Sequence, residues 1–318
     1  MRKRSAALSL FVIIFTLFSG WLYLNRQYVK DYAVVRTTDV STPASAIADE
    51  LKLTDRGTFL YDASQTELQD AQTFNQSCSG IEKQAVILGC YNAQRIYIYN
   101  IKDKKLTGVR EVTAAHELLH AAYERLSPRD RATVDELLQA QLKKTTDKDV
   151  LETIRLYKGA DQSTLLNEIH SIFGTELGSL SPELENYYKR YFTQRSLVVA
   201  YAKKYRSVFK KLEAAAATQR AQLAEKQQTK EAYEVQLKSL TSQIQAQQQT
   251  MTQLRNTDVQ AYNALVPGYN QLVNNYNSQV QVYRTLIDEM NALITALNSN
   301  ITQLNNLTKK LDSHYKAY

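Results

Sequence analysis

From Tyr262 onward one position in seven is large and apolar or aromatic: Tyr262, Tyr269, Tyr276, Tyr283, Met290, Leu297, Leu304 and Leu311. Leu265, Leu272, Leu286, Leu293 and Leu307 fall three places later in the same frame. Only a long α-helix puts such a series on one side, and that stripe needs a second helix to cover it. An earlier seam, Leu237, Leu240, Ile244, Met251 and Leu254 with Gln247 at the missing site, is out of phase with the first. The break between them falls at Arg255-Asn256-Thr257-Asp258, where Thr257 or Asp258 can cap a new helix. Two arms of roughly 55 residues, about 80 Å each at helical rise, predict an antiparallel coiled-coil hairpin within residues 181–318, with one continuous helix carrying a stutter as the alternative. Pro267 is the expected kink.

This region holds most of the basic excess, with 14 Lys and Arg against 8 Asp and Glu from 201 to 318 in a chain of net charge +7. No dense basic stripe or nucleic-acid-binding motif accompanies it, so nucleic acid is not an expected partner. Between Leu240 and Thr308 the only charges are Arg255, Asp258, Arg284, Asp288 and Glu289, so salt bridges encode partner choice weakly. Tyrosine at successive seam positions brings hydroxyls that need partners and predicts a seam with one edge near water. Such an arm serves as a spacer, docks an envelope protein, self-associates or covers a cleft.

At the other end, Arg2, Lys3 and Arg4 precede an uncharged apolar run from Ser5 to Leu24. About twenty such residues span a hydrocarbon core of about 30 Å, and Trp21 and Tyr23 fall where an interfacial aromatic belt lies. Residues 1–24 are therefore expected to be a single-pass anchor in the cell membrane, with a cytoplasmic N-terminus and the rest outside. Residues 25–43 read as a polar stalk ending at Ser41-Thr42-Pro43. In that oxidising location Cys78 and Cys90, the two cysteines of the chain, are expected to form a disulfide.

Residues 44–180 mix periods and predict a compact α+β domain. The apolar fraction of the chain, 44%, is ample for a core. Expected elements are a helix over Ala44–Leu53, a strand over Gly57–Asp62, a helix over Gln65–Phe74, and strands Ala85–Leu88 and Arg95–Tyr99 around the loop Tyr91–Gln94, with Cys90 at the turn. A helix follows over Val112–Leu126. Ser127 then caps another with Pro128 in its first turn and Val134, Leu137, Leu138 and Leu142 on its buried face. Helices over Asp149–Tyr157 and Ser163–Phe173 complete the domain.

The chemistry lies at His116, Glu117 and His120, an H-E-x-x-H pattern flanked by small and apolar residues. Residues four apart share a helix face, so His116 and His120 can direct two imidazole nitrogens at one tetrahedral Zn2+. Glu117, rotated about 100° from His116, reaches a metal-held water without being a ligand. It is the expected general base, taking the proton of that water and passing one to the leaving amine. Two histidines and a glutamate on an apolar helix would be costly without such a partner. A catalytic zinc needs a third protein ligand, for which Glu168 is the first candidate, Glu176 the rival and His170 a further one. Tyr123, Tyr157 and His170 are candidates to stabilise an oxyanion.

Together with Asn167-Glu168 and Ser171, the motif resembles the gluzincin metallopeptidases, over residues 85–180 and in a handful of strict positions. The resemblance implies a zincin-like fold, Glu168 as the third zinc ligand, and protein or peptide substrates. It also implies an edge strand near the motif helix that binds extended substrate by β-augmentation, and Arg95–Tyr99 is placed for that role. Ile172 stands where those enzymes carry an Asp that orients a ligand, and no third His follows His120 at metzincin spacing. The expected function is a membrane-anchored extracytoplasmic zinc peptidase. The alternatives are a non-catalytic envelope scaffold that binds a partner through the coiled coil, and a zinc hydrolase cutting cell-wall peptide cross-links.

Overall fold

A computed structural model describes residues 2–79 and 87–314, with side chains from Ile13 onward. Two compact units emerge, one of Met1–Val208 with Leu307–Tyr318 and one of Phe209–Asn306. The first is an α+β unit. It opens with helices α1 (Arg2–Leu24), α2 (Arg26–Thr37), α3 (Thr42–Glu50) and α4 (Asp55–Ala63). Strand β1 (Glu67–Gln69), helix α5 (Ala71–Ser77) and strands β2 (Gly89–Asn92) and β3 (Arg95–Tyr99) follow. Helices α6 (Val109–Glu124), α7 (Pro128–Lys144), α8 (Lys148–Arg155), α9 (Gln162–Thr175) and α10 (Pro182–Tyr188) complete it, together with the start of α11 (Arg195–Leu254) and the end of α12 (Val259–Leu311).

Three local assignments differ from the sequence expectation. Residues 57–62 form helix α4 rather than a strand, because Thr54 Oγ1 accepts the Gly57 N–H at 3.1 Å and Asp55 occupies the first turn. The expected helix over Gln65–Phe74 divides instead into β1 and α5. Gln65 takes a left-handed φ of 43°, and Asp70 caps α5 by accepting the Thr73 N–H at 2.9 Å. The first hairpin strand begins at Gly89, so Cys90 lies within β2 and not at the turn, while residues 85 and 86 of the expected strand lie outside the described residues. Ala93 and Gln94, with φ of 49° and 65°, make the two-residue turn whose twist matches the flanking strands.

Strand order is β1-β3-β2, with β3 parallel to β1 and antiparallel to β2. Ile96 and Ile98 of β3 are fully buried under α6. Cys78 and Cys90 form a disulfide that ties the end of α5 to β2, within a small cluster with Phe74.

The segment expected as a polar stalk is helical and packed. Helix α2 buries Asp31, and Tyr28 meets Phe59 of α4 with ring centroids 5.7 Å apart. At the other boundary the core runs past Leu180, because Leu184, Tyr187, Tyr188, Tyr191, Phe192 and Val198 are all buried in it. The chain also returns to this unit at its end, where Ser313 Oγ donates to Asn75 Oδ1 at 2.6 Å and Lys310 pairs with Asp103. Among the described residues no helix is long and apolar enough to cross a membrane. Part of the expected 5–24 span lies outside the described side chains.

The second unit is an antiparallel helical hairpin, α11 returning through Arg255–Asp258 into α12, where Asp258 Oδ1 accepts the Ala261 N–H at 3.0 Å. Contacts pair its arms in opposite directions: Gln219 with Asn300, Lys226 with Glu289, and Glu234 with the Tyr283 hydroxyl at 2.8 Å. Leu240, Met251, Leu286 and Met290 are buried in the seam, whereas Tyr262, Tyr269, Tyr276 and Tyr283 are half-buried. Helix α12 runs through Pro267, which lies inside it.

Candidate metal centre

Helix α6 starts at Gly108, whose φ of 105° suits glycine and whose Cα lies so close to Tyr201 that a Cβ would stand 2.7 Å from its carbonyl oxygen. Its small residues Ala114, Ala115, Ala121 and Ala122 are buried, and Leu118 and Leu119 are fully enclosed. This apolar packing presses α6 against α9, whose N-terminus Asp161 caps by accepting the Ser163 and Thr164 N–H groups. The crossing brings His116 and His120 of α6 to Glu168 of α9.

The two imidazole Nε2 atoms lie 3.1 Å apart. Glu168 offers Oε2 to His116 Nε2 at 3.5 Å and Oε1 to His120 Nε2 at 3.6 Å. Glu168 thus faces each imidazole through a different oxygen, and one donor atom from each of the three residues lies within 4.8 Å of the others, close enough for all three to hold one ion. The donor set, two neutral nitrogens and a carboxylate, is the type zinc takes in catalytic sites. Glu168 Oε2 is buried without a hydrogen-bond partner, a cost that a cation would remove. The three side chains retain 18%, 11% and 17% exposure, which leaves the cluster reachable from solvent.

His120 is oriented from behind. Its Nδ1–H donates to Asn167 Oδ1 at 3.0 Å, which leaves the Nε2 lone pair facing the cluster. Asn167 thus supplies an acceptor on α9, while Ile172 is buried in the core. Burial opposes ionisation of Glu168, but the facing imidazoles of His116 and His120 hold its carboxyl below the usual range. The Tyr157 hydroxyl faces Glu168, and burial, followed by that carboxylate, pushes its pKa above the ordinary phenol value and keeps it protonated.

Glu117 is 6% exposed and points to the strand side of α6. Its carboxylate faces the Tyr91 backbone N–H of β2. Gly89 lets the strand come this close, since a Cβ there would sit 2.4 Å from Thr113 Cγ2 and 2.9 Å from Glu117 Cγ. Burial, followed by the nearby Glu168, pushes the Glu117 carboxyl up to about 7, against the opposing pull of His120 and the Tyr91 N–H.

The other candidates go elsewhere. Glu176 pairs with Arg206. His170 is fully buried among Tyr123, Tyr187 and Tyr188, bonds the Tyr187 hydroxyl at 2.9 Å, and is kept neutral by its burial. Tyr123 donates to Asp135 at 2.6 Å. Strand β3 is paired on both sides and is therefore not an edge; β2, beside Glu117, is. A cavity of about 250 Å³ opens beside His120, between Tyr91, Glu124, Arg131, Thr164 and Asn167.

One contact had no sequence signal. Just past α6, Arg125 grips the buried Asp31 of α2 with two hydrogen bonds of 2.8 and 2.9 Å, and its Nη1 donates to the Tyr91 hydroxyl at 2.8 Å. Residues 94 apart thereby join the end of α6, strand β2 and α2.

No protein-family model matches this chain, and no curated protein or solved structure matches it either.

Proposed function

We propose that the chain is a zinc-dependent peptidase held at the outer face of a membrane by residues 1–24, with a gluzincin-like arrangement of its site. The observation that carries this reading is the convergence of His116, His120 and Glu168, one donor atom of each within 4.8 Å of the others, with Glu117 buried beside them. When bound, zinc would polarise a peptide carbonyl and acidify a water. Glu117, buried beside the cluster, would serve as the general base toward such a water and as the proton donor to the leaving amine. Asn167 keeps His120 in the ligating tautomer, and the Tyr91 N–H faces the Glu117 carboxylate. The anchor is supported by Ile13, Ile14, Phe15, Leu17, Phe18, Trp21, Tyr23 and Leu24, all exposed on one helix behind three basic residues.

The test is zinc content and peptide cleavage by the purified full chain in mild detergent, with Glu117→Gln as control. One zinc per chain and cleavage lost in the variant are expected, and a chain that binds no zinc would refute the proposal. The 60- and 53-residue helices of the hairpin favour a second reading, a scaffold that binds an envelope partner. In that case Glu117→Gln is silent in cells and removal of the hairpin is not.

A further inference from the structure

The Asp31–Arg125 pair bears on what such a peptidase can reach. Helices α1 and α2 are joined with the hydrogen-bond ladder running through the junction: the Asn25 N–H bonds Trp21 O at 2.9 Å and the Val29 N–H bonds Asn25 O at 3.0 Å. Asp31 follows Leu24 by seven residues, about 10 Å at helical rise. There it is clamped by Arg125, braced by Gln27 at 2.9 Å, and 4% exposed. Gln27 in turn accepts from Gln94 of the hairpin turn at 3.1 Å, so α2 is held at several points along its length. Arg125 follows the ligand His120 by five residues, about 8 Å along α6. With about 10 Å between the Cα atoms of a paired Arg and Asp, the three legs bound the metal ligands to within about 30 Å of the end of α1. The bound holds for any tilt of α1, because it is the sum of fixed lengths.

We infer that the substrate is a second membrane-anchored polypeptide, cut in an extended segment close to its own membrane end. This inference rests on the peptidase reading and on the anchor. An extended chain rises about 3.3 Å per residue, so a scissile bond roughly ten residues from the bilayer stands at the height of the site. A bond carried far above the membrane on a rigid support is out of reach, since α2 is packed into the unit and cannot act as a flexible tether.

The test uses the full chain with zinc in phosphatidylcholine–phosphatidylglycerol vesicles, together with a randomised twelve-residue segment presented in three ways. The segment is free, joined to a transmembrane helix by a ten-residue flexible linker, or raised on a rigid helical spacer of about 40 residues, about 60 Å. Mass spectrometry reads the cut. The membrane-proximal segment should be cut at least tenfold faster than the raised one. A rigid helical insertion of about 20 residues between Asn25 and Arg26, which lifts the site by about 30 Å, should narrow or reverse that ratio. Equal cleavage of the raised and proximal segments by the unaltered chain overturns the inference and leaves the peptidase reading standing. Cleavage of none of the three, by a chain that floats with the vesicles and holds zinc, overturns both.

Discussion

Asn167 Oδ1 stands 3.0 Å from Nδ1 of His120, across the interface of α6 and α9, and this contact decides which nitrogen of the imidazole faces the cluster. Groups that orient a metal-bound histidine contribute about 10- to 100-fold in affinity. Asn167→Ala should therefore weaken zinc binding by about that factor, with little change in folding. Asn167→Asp, which keeps an acceptor and adds charge, should hold zinc at least as tightly as the native chain. Competition titration against a chromogenic chelator measures both.

Glu117 makes the metal-free protein sensitive to pH. Its folded carboxyl titrates near 7 against an ordinary value of about 4.5, so the folded state keeps a proton that the unfolded chain releases. The stability this brings is full below about 4.5 and is lost as pH rises through about 7, roughly 3 kcal/mol at about 1.4 kcal/mol per unit. Glu50 and Asp62, also raised, share this sign, whereas Glu168 and the buried neutral His170 have the opposite one, their contributions being lost as pH falls, so Glu117 is read from the difference between two proteins. Calorimetry in chelator compares the native chain with Glu117→Gln. Between about pH 5 and 7 the Tm of the native chain should fall relative to that of the variant.

Breaking the Asp31–Arg125 pair should be expensive. Both side chains are nearly enclosed, and removing one partner from a buried pair costs about 3–5 kcal/mol because the other charge stays behind. Asp31→Ala should lower Tm by several degrees and release the Tyr91 hydroxyl's partner as well. Restoring neutrality with Asp31→Ala and Arg125→Met together should recover part of the loss, a coupling read by a double-mutant cycle.

The Cys78–Cys90 disulfide closes a short loop, with the two residues 12 apart, and holds β2 where Tyr91 meets Glu117. Cross-links over loops of this size contribute about 2–4 kcal/mol. Replacing both cysteines with serine should lower the denaturant midpoint accordingly. If β2 shifts, peptide cleavage should fall more than zinc content, because His116, His120 and Glu168 lie on helices outside the loop.

The residues of the candidate site were legible where their pattern was local. His116, Glu117 and His120 declare themselves within a single helix, and Ser127 and Pro128 mark a helix start that the structure shows. Residues 57–62 and 65–74 misled because alternation and periodicity over ten residues are ambiguous. Thr54 and Asp70, the caps that settle the matter, act through single hydrogen bonds that no apolar pattern records.

The sequence by itself determined a helix bearing two imidazoles one turn apart, a cysteine pair able to bond, and two out-of-phase heptad seams, each needing a helix to cover it. Each of these follows from spacing within an element or from one stripe needing cover. Tertiary structure alone decided the rest. It brought Glu168 rather than Glu176 to the histidines, gave His120 its partner 47 residues away, put β3 at the centre of the sheet and turned the expected stalk into a clamped helix. The physical reason is common to all four. Contacts between distant residues depend on how elements pack and cross, and that depends on the shape of the whole core, which no local period encodes.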